Sequence, residues 1–126
     1  MFFNQIHHVA INASDYQATK KFYVETLGFE IIRENHRPEK NDIKLDLKLG
    51  NQELEIFIAP IFPKRPSYPE ALGLRHLAFK VESVDAVAAF LNSQGIKTEP
   101  IRTDDFTGEK MTFFFDPDGL PLEIHE

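Results

Sequence analysis

The chain has 126 residues, no cysteine, 14 Lys and Arg against 20 Asp and Glu, and a formal net charge of −6. That length suits one domain, able to bury roughly two-thirds of its unfolded surface. The acidic balance argues against nucleic acid or an anionic membrane as partner. The missing cysteines exclude disulfides, thiolate metal sites and a cysteine nucleophile. No apolar run approaches the ~20 residues of a membrane span. The N-terminus MFFNQIHHVAI lacks the basic region and small-residue cleavage site of a signal peptide, so a cytoplasmic protein is expected.

Gln5–Asn12 is a short run rich in apolar and β-branched residues and reads as a strand. Ser14-Asp-Tyr-Gln17 then reads as a capping box with Ser14 as N-cap, opening a helix that carries Ala18, Phe22, Tyr23 and Leu27 and stops at Gly28. Three strand-like segments follow, Phe29–Glu34, Ile43–Leu49 and Glu53–Ala59. The charged stretch RENHRPEKND lies between the first two as a loop that leaves His36 solvated. Ile43–Leu49 alternates apolar with Lys44, Asp46 and Lys48, which predicts one buried and one wet face, and Gly50-Asn51 reads as a hairpin turn. Pro60, Pro63, Pro66 and Pro69 mark a linker or surface loop over 60–72, with a Pro-x-x-Pro ligand as the functional alternative.

The second half repeats the order. Leu74–Val81 reads as a strand, and Ser83–Gln94 as a helix with Val84, Val87, Ala88 and Leu91 on one face, ended by Gly95. Strands are expected at Ile96–Arg102, Lys110–Phe115 and Leu120–His125, with Asp116-Pro-Asp-Gly119 as a turn. Phe113-Phe-Phe115 is apolar on both faces and reads as a covered central strand. The fold class is therefore α+β. It consists of two βαβββ modules in tandem, 5–59 and 73–126, within a single domain over 5–126.

Shifted by 68 positions, the chain aligns His8-Val-Ala-Ile11 with His76-Leu-Ala-Phe79, Phe22 with Phe90, and Leu54-Glu-Ile56 with Leu122-Glu-Ile124. The polar matches are one His and one Glu per half, 47 residues apart in both. Polar groups among apolar strand neighbours are costly to bury unless hydrogen-bonded, ion-paired or metal-bound. Alone, a strand His is usually a hydrogen-bonded core or surface group, and a strand Glu lies on the wet face. Repeated at equal spacing, His8, Glu55, His76 and Glu123 point to a shared site for a divalent cation (Ni, Zn, Co, Mn or Fe), with open positions for substrate oxygens. The neighbours serve as controls. His7 should face away from His8, Glu53 aligns with Pro121, and His125 shares a face with Glu123 as a pocket or supporting residue.

These residues resemble the vicinal oxygen chelate superfamily, and within it glyoxalase I, over about residues 5–126. The elements are IHHVAINASD, FYVETLGFE, LEIF around Glu55, GLRHLAFKV around His76, and FFFDPDGLPLEI ending in the Glu123 strand. The resemblance implies paired βαβββ modules forming a cupped, barrel-like sheet around a metal held by His8, Glu55, His76 and Glu123. It implies a homodimer as the expected assembly, with ligands from one chain or two. Glutathione-dependent members carry Arg four residues after the first ligand and Asn four after the second. Asn12 and Ala59 stand there here, so the metal site carries over and the glutathione site does not.

The function this implies is a metal-dependent lyase or isomerase that chelates neighbouring oxygens of a small substrate and stabilises an enediolate. Glu123, in preference to Glu55, acts as general base. The alternatives are a dioxygenase or thiol transferase of the same superfamily, against which a fourth protein ligand argues, and a non-catalytic small-molecule-binding resistance protein, against which the complete ligand set argues. Lys64, Arg65, Arg75, Arg102 and Lys110 are candidates to meet an anionic substrate, with a solvated face as the plainer explanation for most of them.

Overall fold

A parallel pairing of first and last strands organises each half of the molecule. In the computed structural model, which describes residues 1–126, β1 (His8–Ala13) lies parallel to β4 (Gln52–Ile58). Strand β3 (Asp42–Leu49) pairs antiparallel with β4 and with β2 (Glu30–Arg37), so the sheet order is β1-β4-β3-β2. The second sheet repeats this as β5-β8-β7-β6, from β5 (Leu77–Lys80), β6 (Arg102–Thr103), β7 (Lys110–Phe115) and β8 (Pro121–His125). Only β5 and β8 are parallel in that sheet. The expected βαβββ order thus holds in both halves, and the fold is α+β with two four-stranded mixed sheets. Two compact units result, Met1–Pro63 and Lys64–Glu126. No helix is long and apolar enough to cross a membrane.

Each unit has its own core. Tyr23, Leu45, Leu47 and Ile56 are fully buried in the first, and Val84, Leu91, Phe114 and Leu122 in the second. Helix α1 (Tyr16–Lys20) runs into a π-helical stretch, Lys21–Thr26, in which Leu27 N–H reaches back to the Phe22 carbonyl. The cap is Asp15 rather than Ser14: the Asp15 backbone is extended and its carboxylate accepts the Ala18 N–H at 2.8 Å. Helix α2 (Val84–Ser93) is capped by Ser83 as expected. It closes in a Schellman motif, with Gly95 N–H on the Asn92 carbonyl and Ile96 N–H on the Leu91 carbonyl.

Several strand expectations shift: β1 starts at His8 rather than Gln5, and β5 covers only Leu77–Lys80 of the expected 74–81. Strand β2 extends to Arg37, so His36 sits on a strand, although its side chain is exposed as expected. Arg37 clamps Asp42 with two 2.7 Å bonds across the turn, and Asn41 takes the left-handed conformation that closes it. Asp46 is fully buried, which breaks the wet face expected of β3. Of the segment expected as a strand over 96–102 only Arg102 is a ladder residue, continued by Thr103, because Pro100 has no N–H to donate. It is held instead by the Thr112 hydroxyl on the Glu99 carbonyl and by Glu99 N–H on the Phe113 carbonyl. The Phe113–Phe115 run is not covered on both faces, since Phe114 is buried while Phe115 is 42% exposed.

Helix α1 is tied to β2 by a polar contact. The Tyr16 hydroxyl donates to Glu34 at 2.8 Å and accepts from Lys20 Nζ at 2.9 Å. The bond from Tyr16 is the main reason the Glu34 carboxyl is held below its ordinary value of 4.5. A depressed carboxyl stabilises the fold above its unfolded pKa, and that stability is lost as pH falls through the folded value. Tyr16→Phe should therefore lower the urea midpoint at pH 7, and the gap from wild type should narrow as the pH is taken well below 4.5. Asp15→Ala should cost about 1 kcal/mol in the same assay, the usual loss for a removed cap.

Candidate metal centre

The strand registers position the two His–Glu pairs. Strands β1 and β4 place Ala10 opposite Glu55, and β5 and β8 place Ala78 opposite Glu123 in the corresponding alignment. The histidine two residues before each alanine lies on the same face of the ribbon, one strand over from the carboxylate. In the first unit His8 Nε2 is 3.4 Å from Glu55 Oε2. In the second, His76 Nε2 is 3.1 Å from Glu123 Oε2. His76 stands just before β5 rather than inside a longer strand, because β5 starts at Leu77.

The position of β8 is set by the turn before it. The Asp116 carboxylate accepts the Asp118 and Leu120 N–H groups, both at 2.9 Å, and Gly119 is left-handed with φ +84°. That closure makes Phe115 face Pro121 and Phe113 face Glu123.

The environments of the two pairs differ. In the first unit Asp46 lies opposite Glu55 on the neighbouring strand, and two like charges so placed need a counter-ion between them. Lys44 supplies it, with Nζ 3.0 Å from Asp46 and 3.4 Å from Glu55. The hydrogen bond to Asp46 is the main cause of the raised Lys44 pKa. Arg33 adds a second cation, Nε donating to Asp46 at 3.1 Å and Nη2 lying 3.5 Å from Glu53. Sequence reading placed Asp46 on the wet face and missed this strut; only the register against Glu55 reveals it. In the second unit the position opposite Glu123 is Phe113, whose ring meets the His76 imidazole edge-on at 5.0 Å, with the Arg102 guanidinium 5.3 Å above the Phe113 ring.

Two control residues behave differently from expectation. His7 does not face away from His8: the Nδ1 atoms of the two rings are 2.9 Å apart where β1 begins. With one ring donating and the other accepting, His7 orients His8. His125 shares the Glu123 face, but its Nε2 lies 3.4 Å from Asp104 and its Nδ1 3.5 Å from Glu109. Its Nδ1–H also donates to the Glu126 carbonyl at 2.6 Å, the main cause of its raised pKa.

The donors suit a divalent cation. Ligands at ~2.1 Å from an ion lie ~3.0–3.4 Å from each other in octahedral or tetrahedral arrangements. The separations of 3.1 and 3.4 Å fall in that range, and in this structure the members of each pair hold one another directly, His76 and Glu123 by a hydrogen bond. Nitrogen and carboxylate oxygen are the donor types taken by Zn, Ni, Co, Mn and Fe. Within each unit the pair is a two-donor set; neither unit gathers three metal-binding side chains.

The model of the Glyoxalase/Bleomycin resistance protein/Dioxygenase superfamily matches residues 5–124. The crystal structure of a glyoxalase family protein from Enterococcus faecalis is 82% identical, covers 100% of both chains and superposes with a TM-score of 0.96. The uncharacterized protein YwkD of Bacillus subtilis is 54% identical over 100% of this chain and 99% of its own. A 2-epi-5-epi-valiolone epimerase from an Actinomyces species is 29% identical over 94% of this chain and 77% of its own.

Asp46 is the most exacting structural demand of the first pair. Asp46→Asn should lower stability by about 2 kcal/mol, the scale of charge-assisted hydrogen bonds lost from a buried carboxylate whose partners reach solvent. Chemical denaturation should show this as a lower midpoint with an unchanged slope.

Proposed function

The chain belongs to the Glyoxalase/Bleomycin resistance protein/Dioxygenase superfamily, and from that premise we propose that it is a divalent-metal-dependent lyase or isomerase. Its substrate is a small molecule with two neighbouring oxygens, such as an α-hydroxycarbonyl or its thiol adduct. The observation that carries the reading is the repeated His–Glu pair, held in one register at ligand-like spacing in both units. His8, Glu55, His76 and Glu123 would hold the cation, one pair from each kind of unit, in one chain or across a homodimer. When bound, the cation supplies fixed positive charge to the substrate oxygens as an enediolate develops. The epimerase among the relatives is of the isomerase class, in keeping with movement of a carbon-bound proton.

The two carboxylates divide the work. Lys44 lies 3.4 Å from Glu55 and fixes the position of that carboxylate as a ligand. Glu123 has no lysine or arginine against it; its partner is His76, and the side chain is 10% exposed. It accepts the proton from the substrate carbon and returns it to the adjacent one. Phe113 walls this position on the neighbouring strand and helps keep bulk water from the proton in transit.

Metal analysis of native-purified protein should find a stoichiometric divalent cation, and His76→Ala should remove most of it. A chain without stoichiometric metal would instead be a binding protein. Glu123→Gln should slow exchange of the carbon-bound proton of an α-hydroxyketone with D2O by about 100-fold or more, the scale of a lost general base. Much of the metal should remain. Undiminished exchange in that variant would overturn the role of Glu123.

A further inference from the structure

A cavity of about 230 Å³ lies in the second unit, lined by Arg65, Ser67, Tyr68, Glu70, Arg75 and Pro121 among others. Its charges do not balance. Arg75 is paired with Glu70, through Nε at 3.0 Å and through Nη2. Arg65 has no carboxylate partner. Its Nη2 donates to the Leu74 and Arg75 carbonyls, both at 3.0 Å, and its Nε is buried with no acceptor. An N–H of a charged group, buried and unpaired, costs free energy that an incoming acceptor recovers. The cavity therefore offers two guanidinium groups and one carboxylate, with Ser67 and Tyr68 hydroxyls beside them and Leu72 and Leu74 as apolar wall.

Its position links it to the His–Glu pair. Arg75 immediately precedes His76, and Pro121 lies two residues before Glu123 on β8, so Pro121 and Glu123 share a face. The cavity edge is then about 7 Å along the strand from the base, at ~3.3 Å per residue.

We propose that this cavity is a subsite for an oxyanion, and that the substrate is a small molecule carrying a carboxylate or phosphate a few bonds from its reacting oxygens. The inference deepens the functional reading above and rests on it for the identity of the reacting oxygens. The oxyanion sits against the Arg65 guanidinium, supplies its missing countercharge, and competes with Glu70 for Arg75. An exposed Arg–Glu pair contributes little to stability, so Glu70 can be displaced. The carboxylate of Glu70 then acts as an internal placeholder.

The test is calorimetric titration of metal-stripped protein with inorganic phosphate and, separately, with acetate, at fixed ionic strength. Saturable binding of either probe is expected, and the tighter one identifies the oxyanion class. Arg65→Met should weaken it about tenfold or more, the scale of a lost charge-assisted contact. Glu70→Gln, which leaves the Arg65 tether in place, should strengthen it about threefold by removing the competitor. A purely structural role for these residues would not give opposite signs. No saturable binding, equal binding in Arg65→Met, or weaker binding in Glu70→Gln would each overturn the proposal. Divalent-cation titration of the same variants separates the two readings: intact cation binding with no oxyanion binding sinks the subsite alone, and oxyanion binding with no cation binding sinks the metal-dependent function.

Discussion

Parallel pairing of the first and last strands is the constraint on which each unit depends. A parallel pair cannot be joined by a tight turn, so a helix and two antiparallel strands must lie between its members. That crossover lets a residue near the start of each unit meet one near its end. His8 meets Glu55 and His76 meets Glu123 because the ladder places alanine opposite glutamate in both units. A slip of one residue in either strand would turn the carboxylate to the other face. The capping, turn and core residues can be read as devices that prevent this slip. Asp116 and Gly119 set the register of β8, as Gly50, left-handed with φ +58°, helps to set that of β4.

The repeat is one of backbone and ligand type, and its surroundings have diverged. Opposite the glutamate, one unit carries the buried carboxylate of Asp46 bridged by Lys44 and Arg33, and the other carries Phe113. The first arrangement ties Glu55 into a network of charged side chains; the second sets Glu123 beside an aromatic ring, with His76 as its ion-pair partner. The two carboxylates, alike in the sequence repeat, thus stand in unlike environments.

Much of this was legible in the sequence because the signals were local or repeated. Helix α2 was bounded by Ser83 and Gly95, β7 by the Asp116 turn, and the pairs emerged because the same two residue types recur at one spacing. What escaped depended on which residue faces which across strands. Asp46 looked solvated because alternation puts it opposite Leu45 and Leu47, and nothing local shows that Arg33, Lys44 and Glu55 converge on it. His7 looked remote from His8 because alternation was assumed where the strand begins. The 96–102 segment read as a strand by composition, yet Pro100 and the hydroxyl of Thr112 gave its backbone a different partner.

The proline-rich stretch shows the same limit and its remedy. By composition it is a linker, and its arginines look like a solvated face. In the structure Arg65 ties that segment to the carbonyls of Leu74 and Arg75, the residues leading into His76. A guanidinium used to hold a loop ordinarily finds a carboxylate as well. Here the nearby carboxylate, Glu70, is already bound to Arg75, so the segment carries an arginine with no carboxylate partner just ahead of the second His–Glu pair. Holding that charge without an anion is a cost the fold bears in its free state, and an anionic substrate would relieve it on binding. The segment joining the repeats therefore has a fixed place at the entry to the second His–Glu pair, which its composition alone does not show.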